Sequence, residues 1–213
     1  MHERNNTALL LIISAVIALC AGVWFGFDSR PVTPVAQING TILPGNKAIT
    51  GFNLLKADQV AFTSEDLKNK WSLMFFGYTH CPDVCPTTLT TLKQVHAVFE
   101  KQAVLPPRMI FVSIDPERDT PEILAKYVSY FNDEFIGVTG ELKELDKLAK
   151  DLGIYFKKAA GSSGDINQDD YLMDHTTSFV LIAPGASLAA VLRSNSEPVK
   201  LAEDIQTVMK LRN

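Results

Sequence analysis

Between Trp71 and Gln102 the chain reads WSLMFFGYTHCPDVCPTTLTTLKQVHAVFEKQ: an apolar run, two cysteines four residues apart, and then an amphipathic stretch. WSLMFFGY reads as a buried strand, and Leu89, Leu92, Val95 and Phe99 recur at helical spacing. Two thiols at the hand-over from a buried strand to a helix restrict the fold to one in which strand ends and helix starts meet.

The rest of the chain continues that alternation. RMIFVSID (108–115) is a second strand, and DTPEILAKYVSYF opens a helix with Thr120 as N-cap, Pro121 at N1 and Glu122 in the first turn. EFIGVTG is a third apolar stretch, followed by the amphipathic ELKELDKLAKDLG, whose Gly153 is placed to stop it. IYFKKA can form a further strand. A Gly-, Ser- and Asp-rich loop follows, expected to be mobile from Gly161 to Asp170, with His175 after it at the mouth of a strand. TTSFVLIAP and LAAVLRS pair as a hairpin, and EPVKLAEDIQTVMKLR closes the chain as a helix. A βαβ unit joined to a ββα unit gives an α/β fold, a mixed central sheet with helices on both faces. Thiols at a strand-to-helix junction make it thioredoxin-like.

Ahead of this body, Ala8 to Phe27 runs for 20 residues without a charge, which as a helix spans about 30 Å, the thickness of a bilayer's hydrocarbon. We expect residues 1–7 to be a short tail, 8–27 a transmembrane anchor, 28–50 a linker rich in proline and turn residues, and 51–213 the folded domain. Cys20 reads as a small apolar side chain in the anchor, since Leu19 before it is bulkier than a lipoprotein cleavage site usually accepts. Arg4 and Arg30 flank the anchor almost symmetrically, so charge leaves its orientation open. A net charge of −4, with Lys and Arg scattered, excludes the basic stripe of a nucleic-acid-binding protein.

A cysteine in the first turn of a helix has its thiolate favoured by the helix dipole, as nucleophile or metal ligand. Four-residue spacing puts the two Cβ atoms about 5 to 6 Å apart in regular helix, beyond the 3.5 to 4.5 Å of a disulfide. A bond would require local unwinding, which Pro82 and Pro86 permit. Two thiolates suit Cu(I), a sulfur-bound Cu(II) or zinc, with a third ligand from elsewhere. Of the four histidines, His2 precedes the anchor, His96 lies over two turns past Cys85 and reads as solvated, and His80 reads as an exposed loop residue. His175 is the remaining candidate, and spacing alone leaves open whether it is a ligand or an ordinary loop histidine.

FFGYTHCPDVCPTTL, VSIDPERDTPE and YLMDHTTSFVLI, in that order and spacing, resemble the Sco/SenC family of membrane-anchored copper proteins over roughly residues 50 to 212. The resemblance implies one copper ion, Cu(I) or Cu(II), held by Cys81, Cys85 and His175. It implies a role in assembling the copper A centre of cytochrome c oxidase, by delivering copper or by reducing the acceptor's cysteines. The partners so implied are the oxidase subunit bearing copper A and a periplasmic thiol reductant, and the place is a bacterial inner membrane, single-pass, with the domain facing the periplasm. In the alternative, Cys81 and Cys85 act as the redox pair of a thiol-disulfide oxidoreductase. Two positions depart from the family pattern: Gln59 stands where a glycine is usual, and Ala183 and Gly185 replace an acidic turn. Asp115 and Asp119 match the family's acidic stretch and read mainly as turn and capping residues.

Overall fold

The computed structural model describes residues 3–28, 37–45 and 47–212, with the side chains of 11–23, 37–45, 47–57 and 59–212. It divides into two units, Met1–Gln37 and Ile38–Asn213. The first contains helix α1 (Glu3–Asp28), within which the expected anchor falls. Among the described residues no helix is long and apolar enough to cross a membrane. His2 lies outside the described residues.

The second unit runs β1 (Gly40–Ile42), β2 (Asn53–Leu55), β3 (Ala61–Thr63), β4 (Ser72–Gly77), α2 (Val84–Lys101), β5 (Arg108–Ser113), α3 (Pro121–Ser129) and β6 (Ile136–Val138). It continues α4 (Leu142–Leu152), β7 (Phe156–Ala159), β8 (Leu172–His175), β9 (Phe179–Ala183), β10 (Ser187–Leu192) and α5 (Pro198–Leu211). Six strands form one sheet in the order β1-β10-β9-β4-β5-β6. β4, β5 and β6 are parallel, whereas β9 pairs antiparallel with β4 and β10 with β9. This is the mixed α/β sheet expected from a βαβ unit joined to a ββα unit.

The central strands form because they are apolar throughout: every residue of β4 and β9 is buried. Helix α2 buries Leu89, Leu92, Val95 and Phe99 and packs beside α5, which buries Leu201, Ala202, Ile205 and Val208. Helix α3 starts as its sequence dictates, the Thr120 hydroxyl accepting the Ile123 amide at 3.3 Å with Pro121 at N1. Gly153 ends α4 in the left-handed conformation, φ 70°. Gln59, where the resemblance leads one to expect a glycine, also has a positive φ of 57°, the left-handed region that glycine enters most readily.

Two expectations are corrected. The folded body begins at Ile38 rather than residue 51: β1 pairs with β10, and the Leu43 and Ile49 amides donate to Ala189 and Ala186. A three-residue edge strand bonded on one side carries too few residues for a period, and Pro44 beside it reads as linker. Of the expected linker, 29–36 and Asn46 lie outside the described residues. The second correction concerns His175, which ends β8 rather than opening β9; β8 pairs with β7 in a separate two-stranded sheet that places His175 opposite Phe156. Only Met173 of β8 is buried, so no apolar run announces the strand.

Candidate metal centre

Helix α2 begins at Val84, so Cys81 precedes it in a turn and Cys85 lies in its first turn. The Cys85 amide, one of the helix's unpaired first-turn donors, points at the Cys81 sulfur at 3.4 Å. Cys85 itself is fully buried. A Cβ added at Gly77 would stand 2.7 Å from the Cys85 sulfur and 2.8 Å from Phe111 Cε2, so the absence of a side chain at the end of β4 makes room for this thiol. Burial pushes the Cys85 thiol well above its usual range, and a hydrogen bond from the Tyr78 backbone only partly opposes this. Against the expectation that the helix dipole favours a Cys85 thiolate, burial acts in the opposite direction, toward the protonated thiol.

Cys81 is partly exposed and lines a cleft of about 290 Å³ together with Tyr78, Pro82, Met173 and His175. Strand β8 brings the histidine there, and its ring stands edge-on to Phe75 and Tyr78, centroids 6.2 and 6.3 Å away. His175 Nδ1 is 3.0 Å from the Thr176 carbonyl. A carbonyl only accepts, so Nδ1 carries the hydrogen and Nε2 keeps its lone pair. Burial lowers the His175 pKa from its ordinary 6.5, which keeps the ring neutral and able to ligate. Cys81 and His175 thus share one cleft with Cys85 buried next to Cys81. Among the described residues no three of His, Cys, Asp or Glu stand close enough together to hold a metal.

His80 is exposed, as expected, its Nδ1 3.1 Å from the Thr79 hydroxyl. His96 is buried rather than solvated, with Nε2 3.0 Å from Glu134, and plays no part in the cleft. Asp115 and Asp119 are also buried, and more than turn residues. Asp119 accepts from the Thr79 amide at 2.9 Å, the Thr79 hydroxyl and the Ser113 hydroxyl, tying the cysteine loop to the end of β5. Asp115 pairs with Arg118 and accepts from the Tyr171 hydroxyl at 2.6 Å. Asp119 directly precedes the Thr120 N-cap, whose strong signal masks it; two acids bracketing an arginine at the exit of an apolar strand was the trace available.

Residues 42–210 match the SCO1/SenC family model. A putative copper-binding protein of Stutzerimonas stutzeri is 35% identical over 173 residues, 81% of this chain and 80% of that one. Among solved structures, Bradyrhizobium japonicum ScoI with copper bound is 34% identical with a TM-score of 0.64, covering 76% of this chain and 99% of that chain. Arabidopsis thaliana ScoI with copper bound is 31% identical with a TM-score of 0.68, covering 78% and 99%. With the matched region spanning nearly the whole folded body, from the edge strand β1 to the end of α5, the chain belongs to the SCO1/SenC family.

Proposed function

We propose that this chain carries one copper ion on Cys81, Cys85 and His175, the three drawing together on the metal from their wider spacing in the metal-free chain, and serves assembly of the copper A centre of cytochrome c oxidase. The observation that carries the reading is the shared cleft: a partly exposed thiol and an imidazole with its Nε2 lone pair free face the same space. Two sulfurs and an imidazole suit both copper oxidation states, and solved relatives from Bradyrhizobium and Arabidopsis hold copper. The cargo is handed on by ligand exchange with acceptor cysteines, which requires an accessible ligand; Cys81 meets that requirement and Cys85 does not. Because burial favours the protonated Cys85 thiol, metal uptake releases a proton there and strengthens as pH rises. Copper titration of the reduced chain should reach near 1:1 with a sulfur-to-copper charge-transfer band. His175→Ala should weaken Cu(II) binding by about tenfold or more, and unaltered binding refutes the ligand assignment.

The difference in exposure between the thiols supports a second reading, reduction of the acceptor's disulfide. The Cys81 thiolate, solvated by the Cys85 amide, attacks one acceptor sulfur and displaces the other as a thiolate. Cys85 then attacks Cys81 in the mixed disulfide, freeing the second acceptor thiol and leaving a Cys81–Cys85 disulfide for a periplasmic thiol reductant to reset. A Cys85→Ser variant traps the mixed disulfide if this step operates, and its absence under reducing replenishment removes it. We infer further that residues 8–27 anchor the domain on the periplasmic face of a bacterial inner membrane, on the strength of the uncharged helical stretch. Membrane fractionation with and without residues 1–28 tests the anchor.

A further inference from the structure

The β7–β8 hairpin is a sheet of its own, so something other than ladder bonds to the main sheet must set where its histidine stands. Arg118, in the loop between β5 and α3, meets the start of β8 on several sides. Its guanidinium lies 3.6 Å from the centre of the Tyr171 ring, its Nη1 donates to the Asp169 carbonyl at 3.0 Å, and its Nε pairs with the buried Asp115. The Tyr171 hydroxyl donates to that same Asp115 at 2.6 Å, and Lys158 of β7 covers the ring with its ammonium 4.3 Å from the centroid. Tyr171 is buried and immediately precedes β8, whose other end is His175.

The network continues to the thiols. The Asp115 amide donates to the Ser113 hydroxyl, which in turn donates to Asp119, and Asp119 accepts from the Thr79 amide two residues before Cys81. The Arg118 guanidinium also stands 5.8 Å from the Tyr78 ring, which lines the cleft. We infer that Arg118 is a positioning residue for His175: stacked on Tyr171 and fixed to Asp115, it locks the start of β8 to the frame that holds the cysteine loop. A planar guanidinium is suited to this, because it stacks with its face while its edge pairs with a carboxylate and a carbonyl; an ammonium supplies only the charge. The inference rests on the copper reading above for its effect on metal, and not for its effect on β8.

The test uses the full chain. Arg118→Met keeps most of the apolar stem and removes the plane and charge, and Tyr171→Leu removes the platform from the other side. Each should weaken Cu(II) binding by about 10- to 100-fold, the range for groups that orient a metal's ligand, and should weaken the nitrogen coupling in the copper EPR spectrum. Arg118→Lys should recover part of the loss. In a His175→Ala background the factor should fall to about one, because the clamp acts through that side chain. An equal loss in both backgrounds, or none in either, overturns the inference. Without metal, hydrogen exchange at 171–175 should accelerate in both variants while alkylation of Cys81 keeps its rate; unchanged protection also overturns it. A wild-type chain that binds no copper refutes the copper reading instead, and the metal-free exchange result still decides whether Arg118 holds β8.

Discussion

The two halves of the cleft are built in opposite ways. The cysteine loop joins the fully buried β4 to the first turn of α2, and its second thiol is buried against Gly77 at the end of that strand. The histidine stands at the end of a four-residue strand in a two-stranded sheet, beyond a loop of exposed Ser, Gly and Asp residues. One half is continuous with the core; the other is fastened to it by side chains. In the proposed copper reading this division would let the sulfur half keep its geometry while the imidazole half closes on the cargo or releases it. Substitutions in the first half should therefore unsettle the whole fold, and those in the second should act locally.

The largest effect is expected at Asp119. Replacing it by alanine leaves the Thr79 amide and two buried-side hydroxyls without their acceptor. At about 1 kcal/mol or more for each abandoned donor, Asp119→Ala should cost about 3 kcal/mol or more in urea unfolding and slow or abolish copper uptake. A loss under about 1 kcal/mol would place the cysteine loop among the independently mobile parts and break the contrast. Gly77→Ala comes next. Its methyl would meet the Cys85 sulfur at 2.7 Å and the Phe111 ring at 2.8 Å, so we expect about 1 to 3 kcal/mol of overpacking. Because Cys85 is displaced, the charge-transfer band should shift as well. A normal spectrum with lowered stability would mean that Phe111 yields and the thiol does not.

The same contrast governs what could be read from the sequence. β4, β5, β9 and the helices α2 to α5 were legible because full burial and a 3.6-residue period leave long, redundant traces. β1 and β8, of three and four residues, leave none, which is why residues 40–42 read as linker and His175 was placed at the mouth of β9, whereas IYFKKA did mark β7. At the site, spacing and resemblance nominated Cys81, Cys85 and His175, and the fold brings the first and last to one cleft. That Cys85 is buried could not be read, because helix position says nothing of what packs over the first turn; Gly77 and Phe111 come from two other strands. The Asp115, Arg118 and Tyr171 network was equally hidden, since its members meet only after a hairpin folds back across more than fifty residues.

The smallest effect, and the sharpest test of the division, lies in the histidine half. Asp170 closes the loop before β8 by accepting from the Ser162 hydroxyl at 2.8 Å and from the Ser163 amide and hydroxyl at 2.7 and 2.6 Å. Those bonds, led by the Ser163 hydroxyl, lower its pKa from 3.8 to about 2. The unfolded carboxyl therefore takes up its proton first as pH falls. The cap's contribution is whole above pH 3.8 and is lost as pH drops from there toward 2. His175 is shifted in the same direction by burial, so its contribution is whole above 6.5 and declines as pH falls below that value. Between those two limits the loop cap should hold while the end of β8 loosens. Hydrogen exchange followed from pH 7 to 4 should show protection falling at 174–176 before it falls at 163–165, with the amides of β4 unaffected. Asp170→Ala should remove the protection at Ser163 at every pH and leave the melting temperature within about 2 °C. If 163–176 lost protection as one block, together with β4, the hairpin would be part of the core rather than an attachment to it.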